Sequence, residues 1–440
     1  MTVTGVPSTN EEAWALAGAW GAARYMTPFE ALMWRVEQDP RLRSTMTVVY
    51  LLDGAPDWDR FVAADAMASF DRSRPPWRAS LVEGVEGDRT AYVLKLHHSL
   101  TDGQGGVQLV GLLHSRKREP SPDKPVPEPP PGERTSALGV LAEQAAGAVR
   151  SAPAGTLRRT VGGAAAAGRA VARPLDGLGG ATRFARSLQR VLTPPPAAPS
   201  PLLARRSRSW RFDALDVSLP KLKAAGKAAG GSLNDAYVAA LLGGFRRYHE
   251  HFDTPIDELA MAMPISLRRG DHPMGGNRFA GARFAAPAGE PDPAERIRLV
   301  HEFVLTARDE PALDVFGLLA PGLNRLPMPL VARWYAAQTT KLDLQASNVA
   351  GLPYQAYIAG ARIERMLPFG PLPGCAVMAT LLSYAGTCSI GLNLDPAAVT
   401  EPDVFVDCLE AGIREVLALA NGRANGHPGS AGGRRLGAPS

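Results

Sequence analysis

The sequence predicts an α/β fold in two halves, and three observations support this. Segments of strand composition alternate with segments of helical periodicity on both sides of the chain's middle, the pattern of layered α/β architectures. Two proline-rich stretches, residues 120–132 (PSPDKPVPEPPPG) and 193–201 (TPPPAAPSP), bracket that middle, and such composition favours extended linkers. The length, 440 residues, exceeds what one hydrophobic core usually organises, so two domains are expected.

The elements follow in order. Residues 1–25 form a helical lead-in. TMTVVYLL at 45–52 has the β-branched and aromatic content of a strand, and a second strand is expected at 91–97, followed by a short helix over 107–113. Ala- and Arg-rich helical stretches fill the region up to about residue 192. A strand around 209–212 opens the second half. Ser232 then starts a helix, with Asp235 three residues on in a capping-box-like arrangement. Leu241, Leu242, Phe245 and Tyr248 give that helix its apolar face. A closing helix begins near Thr400, with Pro402 in its first turn, Asp403 at the positive end of its dipole, and Phe405, Leu409, Ile413, Val416 and Leu417 as its buried stripe. The resulting division is an N-terminal domain over 1–115, a linker over 116–205, a C-terminal domain over 206–421, and a Gly-, Arg- and Pro-rich tail over 422–440 expected to be disordered.

Charge and composition narrow the function classes. The apolar fraction is 45 %, ordinary for a globular protein, and no apolar run is long enough to span a bilayer. The N-terminal stretch has early acids and no positively charged n-region, so it does not read as a secretory signal. Cys375, Cys388 and Cys408 are odd in number and lack metal-ligand spacing, which suits a reducing, cytoplasmic compartment and no resident metal. The net charge of +5 is concentrated: Arg134, Arg150, Arg158, Arg159, Arg169, Arg173, Arg183, Arg186 and Arg190 face only Glu143 and Asp176. A basic stretch suits nucleic acid or an anionic membrane surface. No zinc-finger spacing, phosphate-loop motif or aromatic RNA-binding element accompanies it, so nucleic acid ranks low. In ATRFARSLQRVL at 181–192, Phe184, Leu188 and Val191 follow helical spacing while Arg183, Arg186 and Arg190 cluster on another face. Such a helix can lie in a lipid interface, at the inner membrane or a lipid droplet, or can pack on the two domains as a crossover with its arginines solvated.

The stretch AYVLKLHHSLTDGQGG at 91–106 carries the chemistry. Tyr92, Leu94 and Leu96 alternate with Val93, Lys95 and His97, so if the strand continues, His98 joins the face of Tyr92, Leu94 and Leu96. A histidine held at a strand end, partly desolvated, is placed as a general base. Asp102 and Gly103 follow in a turn, and Gly105 and Gly106 permit close backbone approach. Two adjacent histidines are equally compatible with core or surface positions. Neighbours on a strand point to opposite faces, which disfavours one metal held by both.

HHSLTDG at 97–103 matches the HHxxxDG motif, and the chain resembles the bacterial wax ester synthase/diacylglycerol acyltransferase family. The resemblance covers both halves in order. PPWRASLVEGVEGDRTAYVLKLHHSLTDG contains Pro76 and Trp77 at a proline–tryptophan element, and SLNDAYVAALLGGFRRYH contains an Asn–Asp pair at Asn234 and Asp235. PISLR at 264–268 follows, then GNR at 276–278 with Asn277, SNVAG at 347–351 with Ser347 and Asn348, and the SYAG and GLNLD stretches over 383–395. HHxxxDG alone is shared with other CoA-dependent acyltransferases and peptide-forming condensation domains, whereas the ordered set is much more specific.

The resemblance implies two chloramphenicol-acetyltransferase-like domains with a tunnel between them meeting His98. It implies acyl transfer from acyl-CoA, as co-substrate and with no cofactor, to diacylglycerol or a long-chain alcohol, with no covalent acyl-enzyme. His98 would be the base and His97 a supporting neighbour. Asn234 would orient substrate or stabilise developing negative charge, unless it merely assists the helix cap. Asp102 would pair with an arginine, Arg268 being the candidate, and support the loop without touching substrate. Two departures stand out. SNVAG lacks the family's proline, and the interval from Leu52 to Pro75 is several dozen residues short, so the N-terminal domain is expected to be shortened after residue 60. That leaves two rivals: a catalytically weak lipid-binding or storage-surface homologue, and an acyltransferase using another thioester donor or alcohol acceptor.

Overall fold

The computed structural model describes residues 26–52, 70, 75–85, 89–119, 197–268, 275–308, 319–320 and 322–422. The lead-in helix over 1–25, the shortened interval beyond residue 52, most of the linker with its basic segment, and the tail from 423 onward lie outside the described residues.

Two sheets form the frame. The first contains β1 (Thr45–Leu52), β2 (Trp77–Val85), β3 (Arg89–His97) and β10 (Arg365–Phe369), in the order β10-β1-β3-β2 with every pairing antiparallel. The second contains β4 (Arg211–Ser218), β5 (Leu259–Ser266), β6 (Phe279–Ala286), β7 (Leu344–Val349), β11 (Val377–Tyr384) and β12 (Thr387–Leu394), in the order β4-β12-β11-β7-β5-β6. Its pairings to β7 are parallel and the rest antiparallel. A two-stranded ribbon, β8 (Tyr357–Ile358) with β9 (Ala361–Arg362), stands apart.

Sheet membership does not follow the division at residue 206. β10 comes from the second half of the chain yet pairs with β1, Tyr50 opposite Met366 and Val49 opposite Leu367. The reason lies in β1: Val49, Tyr50, Leu51 and Leu52 are all buried, so both of its edges need a partner and neither face can be left to water. Phe369 at the end of β10 stacks on Phe212 of β4, ring centroids 4.3 Å apart, which ties the two sheets together.

The helices are α1 (Pro28–Val36), α2 (Gly103–Leu113), α3 (Leu219–Ala228), α4 (Leu233–His251), α5 (Pro293–Arg308), α6 (Met328–Thr339) and α7 (Pro402–Gly422). α4 starts with the expected capping box: Ser232 Oγ accepts from Asp235 N–H, and Asp235 accepts from Ser232 N–H. Leu241, Leu242, Phe245 and Tyr248 are at most 1 % exposed. Each such buried side chain contributes about 1.5–3 kcal/mol of transfer free energy, so α4 is the spine of the second core. α7 packs closely on it because Gly244 and Gly412 leave room. A Cβ at Gly244 would lie 2.7 Å from Leu409 Cα. The stripe Phe405, Leu409, Ile413 and Val416 is buried and Leu417 partly so.

β3 ends at His97, as expected, and starts at Arg89; it does not continue, and His98 lies in a turn. Two boundaries differ more from the sequence reading. The helix expected over 107–113 begins four residues earlier, at Gly103, because Asp102 caps it: Gly105 N–H donates to Asp102 Oδ1 at 2.8 Å. β4 runs on to Ser218; its outward Asp213 and Asp216 hid the strand character that Phe212, Leu215 and Val217 supply. Among the described residues no helix is long and apolar enough to cross a membrane.

Candidate active site

The turn after β3 sends its two histidines into different surroundings. His97 is fully buried. Ser99 N–H donates to its Nδ1 at 3.0 Å, so Nε2 carries the proton and faces the Glu37 carboxylate. Trp34 packs edge-on to the ring with centroids 4.6 Å apart. The backbone N–H of His97 donates to Pro76 O at 2.9 Å. Both ring nitrogens of His97 therefore face protein groups and neither faces open space.

His98 is partly buried and presents its ring to open space. Its backbone N–H donates to Ser44 O at 2.7 Å, and Phe279 lies against the ring with centroids 5.2 Å apart. Nδ1 is 3.0 Å from Asn277 Oδ1, while Asn277 Nδ2 donates to the His98 carbonyl at 2.7 Å. With Asn277 Oδ1 as acceptor, Nδ1 carries the proton and Nε2 the lone pair. Burial lowers the imidazole pKa below its ordinary value, with the His97 ring adding a little. The charge of Asp102 and the bond to Asn277 oppose this but do not outweigh it. The ring is thus neutral at neutral pH, the state a base requires.

Asp102 is a joint between the halves. Its carboxylate accepts from Arg268 Nη2 at 2.8 and 2.9 Å, from Gly105 N–H, and from Arg278 N–H at 2.9 Å. Arg268 Nη2 also donates to Gly276 O at 3.0 Å. The side chains of Arg268 and Asp102 are 8 % and 10 % exposed, so the pair is desolvated and every carboxylate lone pair has a donor. Gly105 allows this approach, since a Cβ there would lie 3.1 Å from Gly275 Cα. Gly106, expected to serve the same purpose, meets nothing within 4 Å. It faces a cavity instead.

Two cavities meet at His98. The first, about 110 Å³, is apolar: Met46, Val48, Leu94, Leu96, Val110 and Leu382 are among its walls. The second, about 370 Å³, is more polar, with Ser266, Arg268, Arg278, Gln345, Ser347 and Asn348 on its lining. His98, Gly103, Ser347 and Val349 border both. Although β3 has ended, His98 does share the cavity of Leu94 and Leu96, as strand parity implied.

Asn234 sits one side chain further back. Its Oδ1 accepts from Asn348 Nδ2 at 3.4 Å, and its Nδ2 lies 3.5 Å from Met263 Sδ. The helix cap is made by Ser232 and Asp235, so the side chain is engaged toward the cavity wall and not at the cap. Trp77 begins β2 and is 53 % exposed; its neighbour Pro76 enters only through the carbonyl that receives His97 N–H.

Glu30 and Glu37 were not singled out by the sequence reading. Thr27-Pro-Phe-Glu30 is a legible capping box, and both of its bonds are present. That pattern announces a helix start. It gives no sign that Glu30 also reaches Asn277, 247 residues away.

Comparison with known proteins agrees with this geometry. Residues 20–237 match the wax ester synthase/diacylglycerol acyltransferase catalytic domain, and residues 275–416 match the WS/DGAT C-terminal domain. A protein of Mycobacterium tuberculosis, provisionally named a diacylglycerol O-acyltransferase, is 37 % identical over 456 aligned residues, covering 90 % of this chain and 92 % of that protein. Since 90 % of 440 residues is fewer than 456, on the order of sixty aligned positions have no counterpart here. Among solved structures, the wax ester synthase/diacylglycerol acyltransferase from Marinobacter aquaeolei has the same fold (TM-score 0.58, 18 % identity, 91 % of this chain and 100 % of that one). The starter condensation domain of rhizomide synthetase shares it too (TM-score 0.51, 12 % identity, 92 % and 96 %). The mixed α/β fold is thus the chloramphenicol-acetyltransferase-like one shared with these structures, and the chain belongs to the wax ester synthase/diacylglycerol acyltransferase family.

Proposed function

We propose that this acyltransferase moves a long-chain acyl group from acyl-CoA to diacylglycerol, a long-chain alcohol or both, with His98 as general base. One observation carries the reading: a neutral imidazole, its Nδ1–H engaged by Asn277, stands where an apolar and a polar cavity meet. Nε2 takes the proton of the acceptor hydroxyl as its oxygen attacks the thioester carbonyl. The tetrahedral oxyanion collapses, the C–S bond breaks, and the leaving thiolate takes the proton back from the imidazolium to give CoA and an ester. Both substrates meet in one site, so proximity does much of the work and no acyl-enzyme is needed.

The apolar cavity suits an acyl chain, and the lining with Arg268, Arg278, Gln345 and Ser266 suits the polar thioester arm. Asn234 acts through Asn348, whose amide lines the polar cavity. The deciding experiment supplies purified protein with acyl-CoA and a panel of diacylglycerols and long-chain alcohols and measures free CoA. Release that depends on one of these acceptors supports the reading. Lipid binding without CoA release would favour a catalytically weak homologue, a rival to which the roughly sixty unmatched positions lend weight.

Long-chain substrates partition into membranes, so we assign the basic segment with Arg183, Arg186 and Arg190 a peripheral contact with anionic lipid. Each basic residue near such a surface contributes on the order of 1 kcal/mol. Flotation with anionic liposomes should be salt-sensitive and weakened by changing the three arginines to Gln. Binding unchanged in that variant leaves the crossover role.

A further inference from the structure

We propose that Glu30 is a positioning residue that sets the tautomer of His98, acting through Asn277. The inference rests on the reading of His98 as the base and adds what holds it in the basic form.

The three side chains come from separate parts of the chain: Glu30 from α1, Asn277 from the approach to β6, His98 from the turn after β3. Glu30 is 1 % exposed. Its Oε2 accepts from Thr27 N–H at 2.8 Å, which anchors the carboxylate to the helix start. Its Oε1 accepts from the backbone N–H and the Nδ2 of Asn277 at 3.2 and 3.4 Å. The second Nδ2 proton of Asn277 goes to the His98 carbonyl at 2.7 Å. The amide NH2 is thereby held by two acceptors, and its oxygen is left facing His98 Nδ1 at 3.0 Å.

The chemical identity of Glu30 matters here. An ionised carboxylate can only accept. If the Asn277 amide turned over, its oxygen would face the Glu30 carboxylate and the His98 carbonyl, three acceptors with no proton among them. Its NH2 would then point at Nδ1, favour protonation of Nε2 and remove the base. Burial makes that mismatch costly. A glutamine at position 30 could donate to the turned oxygen, leaving only the His98 carbonyl to oppose the turn, and would loosen the tautomer. Glu30 lines neither cavity, which makes it a positioning residue and not one that touches substrate.

The experiment uses the full-length chain with 15N-labelled histidine, the His98 signals being assigned by their loss in His98→Ala. Wild type should show a protonated Nδ1 and a bare Nε2. Glu30→Gln should populate the Nε2-protonated form and lower kcat about tenfold, less than the hundredfold or more expected when the base is lost outright. KM should stay within about twofold, because ground-state binding is untouched. Thr27→Ala removes the helix cap but leaves the carboxylate, and should keep both the wild-type tautomer and kcat.

A folded Glu30→Gln protein with the wild-type tautomer and kcat overturns the inference, as does a Thr27→Ala protein that reproduces the tautomer change. Should Glu30→Gln not fold, Glu30→Ala is read in its place: it removes the acceptor that holds the Asn277 amide. An Nε2-protonated population in the folded variant supports the relay, and a ring that stays Nδ1-protonated counts against it. Full turnover in His98→Ala would instead sink the reading of His98 as base, while the ring shifts still report on the relay.

Discussion

Two neighbouring regions of this molecule, the pocket behind His97 and the cavities in front of His98, contain the same side chain and use it in opposite ways. Behind His97 the ring is sealed between Trp34, Ser99 and Glu37, with both nitrogens turned toward protein groups. In front of His98 one nitrogen is engaged by Asn277 and the ring borders open space on two sides. The difference teaches that the motif sets a sealed histidine beside one that faces open space. Burying the first fixes the turn from which the second projects. A ring enclosed by protein can hold a site together, but only one that faces open space can act on a substrate.

The largest break in this comparison comes from His98→Ala, expected to lower turnover at least about a hundredfold, the usual scale of a lost general base. The protein should stay folded by circular dichroism, because the ring fills only part of a cavity wall. Wild-type kinetics in the folded variant would remove the distinction between the two histidines.

Asp102→Ala tests the frame that carries both rings. It leaves Arg268 buried without its carboxylate and frees the cap of α2, a loss of about 3–5 kcal/mol on the scale of broken buried ion pairs. Thermal melting and soluble yield should fall together with turnover. A variant that keeps its Tm and loses all turnover would mean that Asp102 acts directly on the reaction.

His97→Ala should show the reverse of His98→Ala. It strands the Glu37 carboxylate, 6 % exposed at its side chain, and opens space beside Trp34. We expect a stability loss of about 2–3 kcal/mol for a buried group deprived of its partner, with less damage to turnover than in His98→Ala. Urea melts run beside kcat measurements separate the two effects. The comparison would collapse if His97→Ala lost more turnover than His98→Ala at equal folded fraction.

The smallest effect, and the sharpest on mechanism, is in pH. A base must be unprotonated, and burial holds His98 below the ordinary histidine value, which is about 6.5. kcat/KM should therefore stay level as pH falls to about 6.5 and decline only below it, tenfold per unit once His98 is protonated. An acid limb above about pH 6.5 would contradict the burial argument.

Local patterns were legible to the extent that they were local. TMTVVYLL is a strand with the expected bounds because its β-branched content needs no context. The Ser232 cap and the stripe along α7 follow from three- and four-residue spacings that any helix obeys. The start of α2 was less legible, because glycines at its first positions mask helical propensity and only the Asp102 cap reveals it. β10 went unread since RMLPF is short, contains proline, and becomes a strand only against β1.

By itself, then, the sequence determined the α/β layering, the helices α4 and α7, and the order of the family's motifs. Tertiary structure alone decided which side of the turn is sealed and which is open, that β10 completes the first sheet, and that Glu30 and Asn277 converge on His98. The physical reason is range. Periodicity, caps and alternation act over a few residues and are written in composition. The Asn277–His98 bond joins positions 179 apart and the Glu30–Asn277 bond positions 247 apart; both exist only once two sheets have closed around the cavities between them.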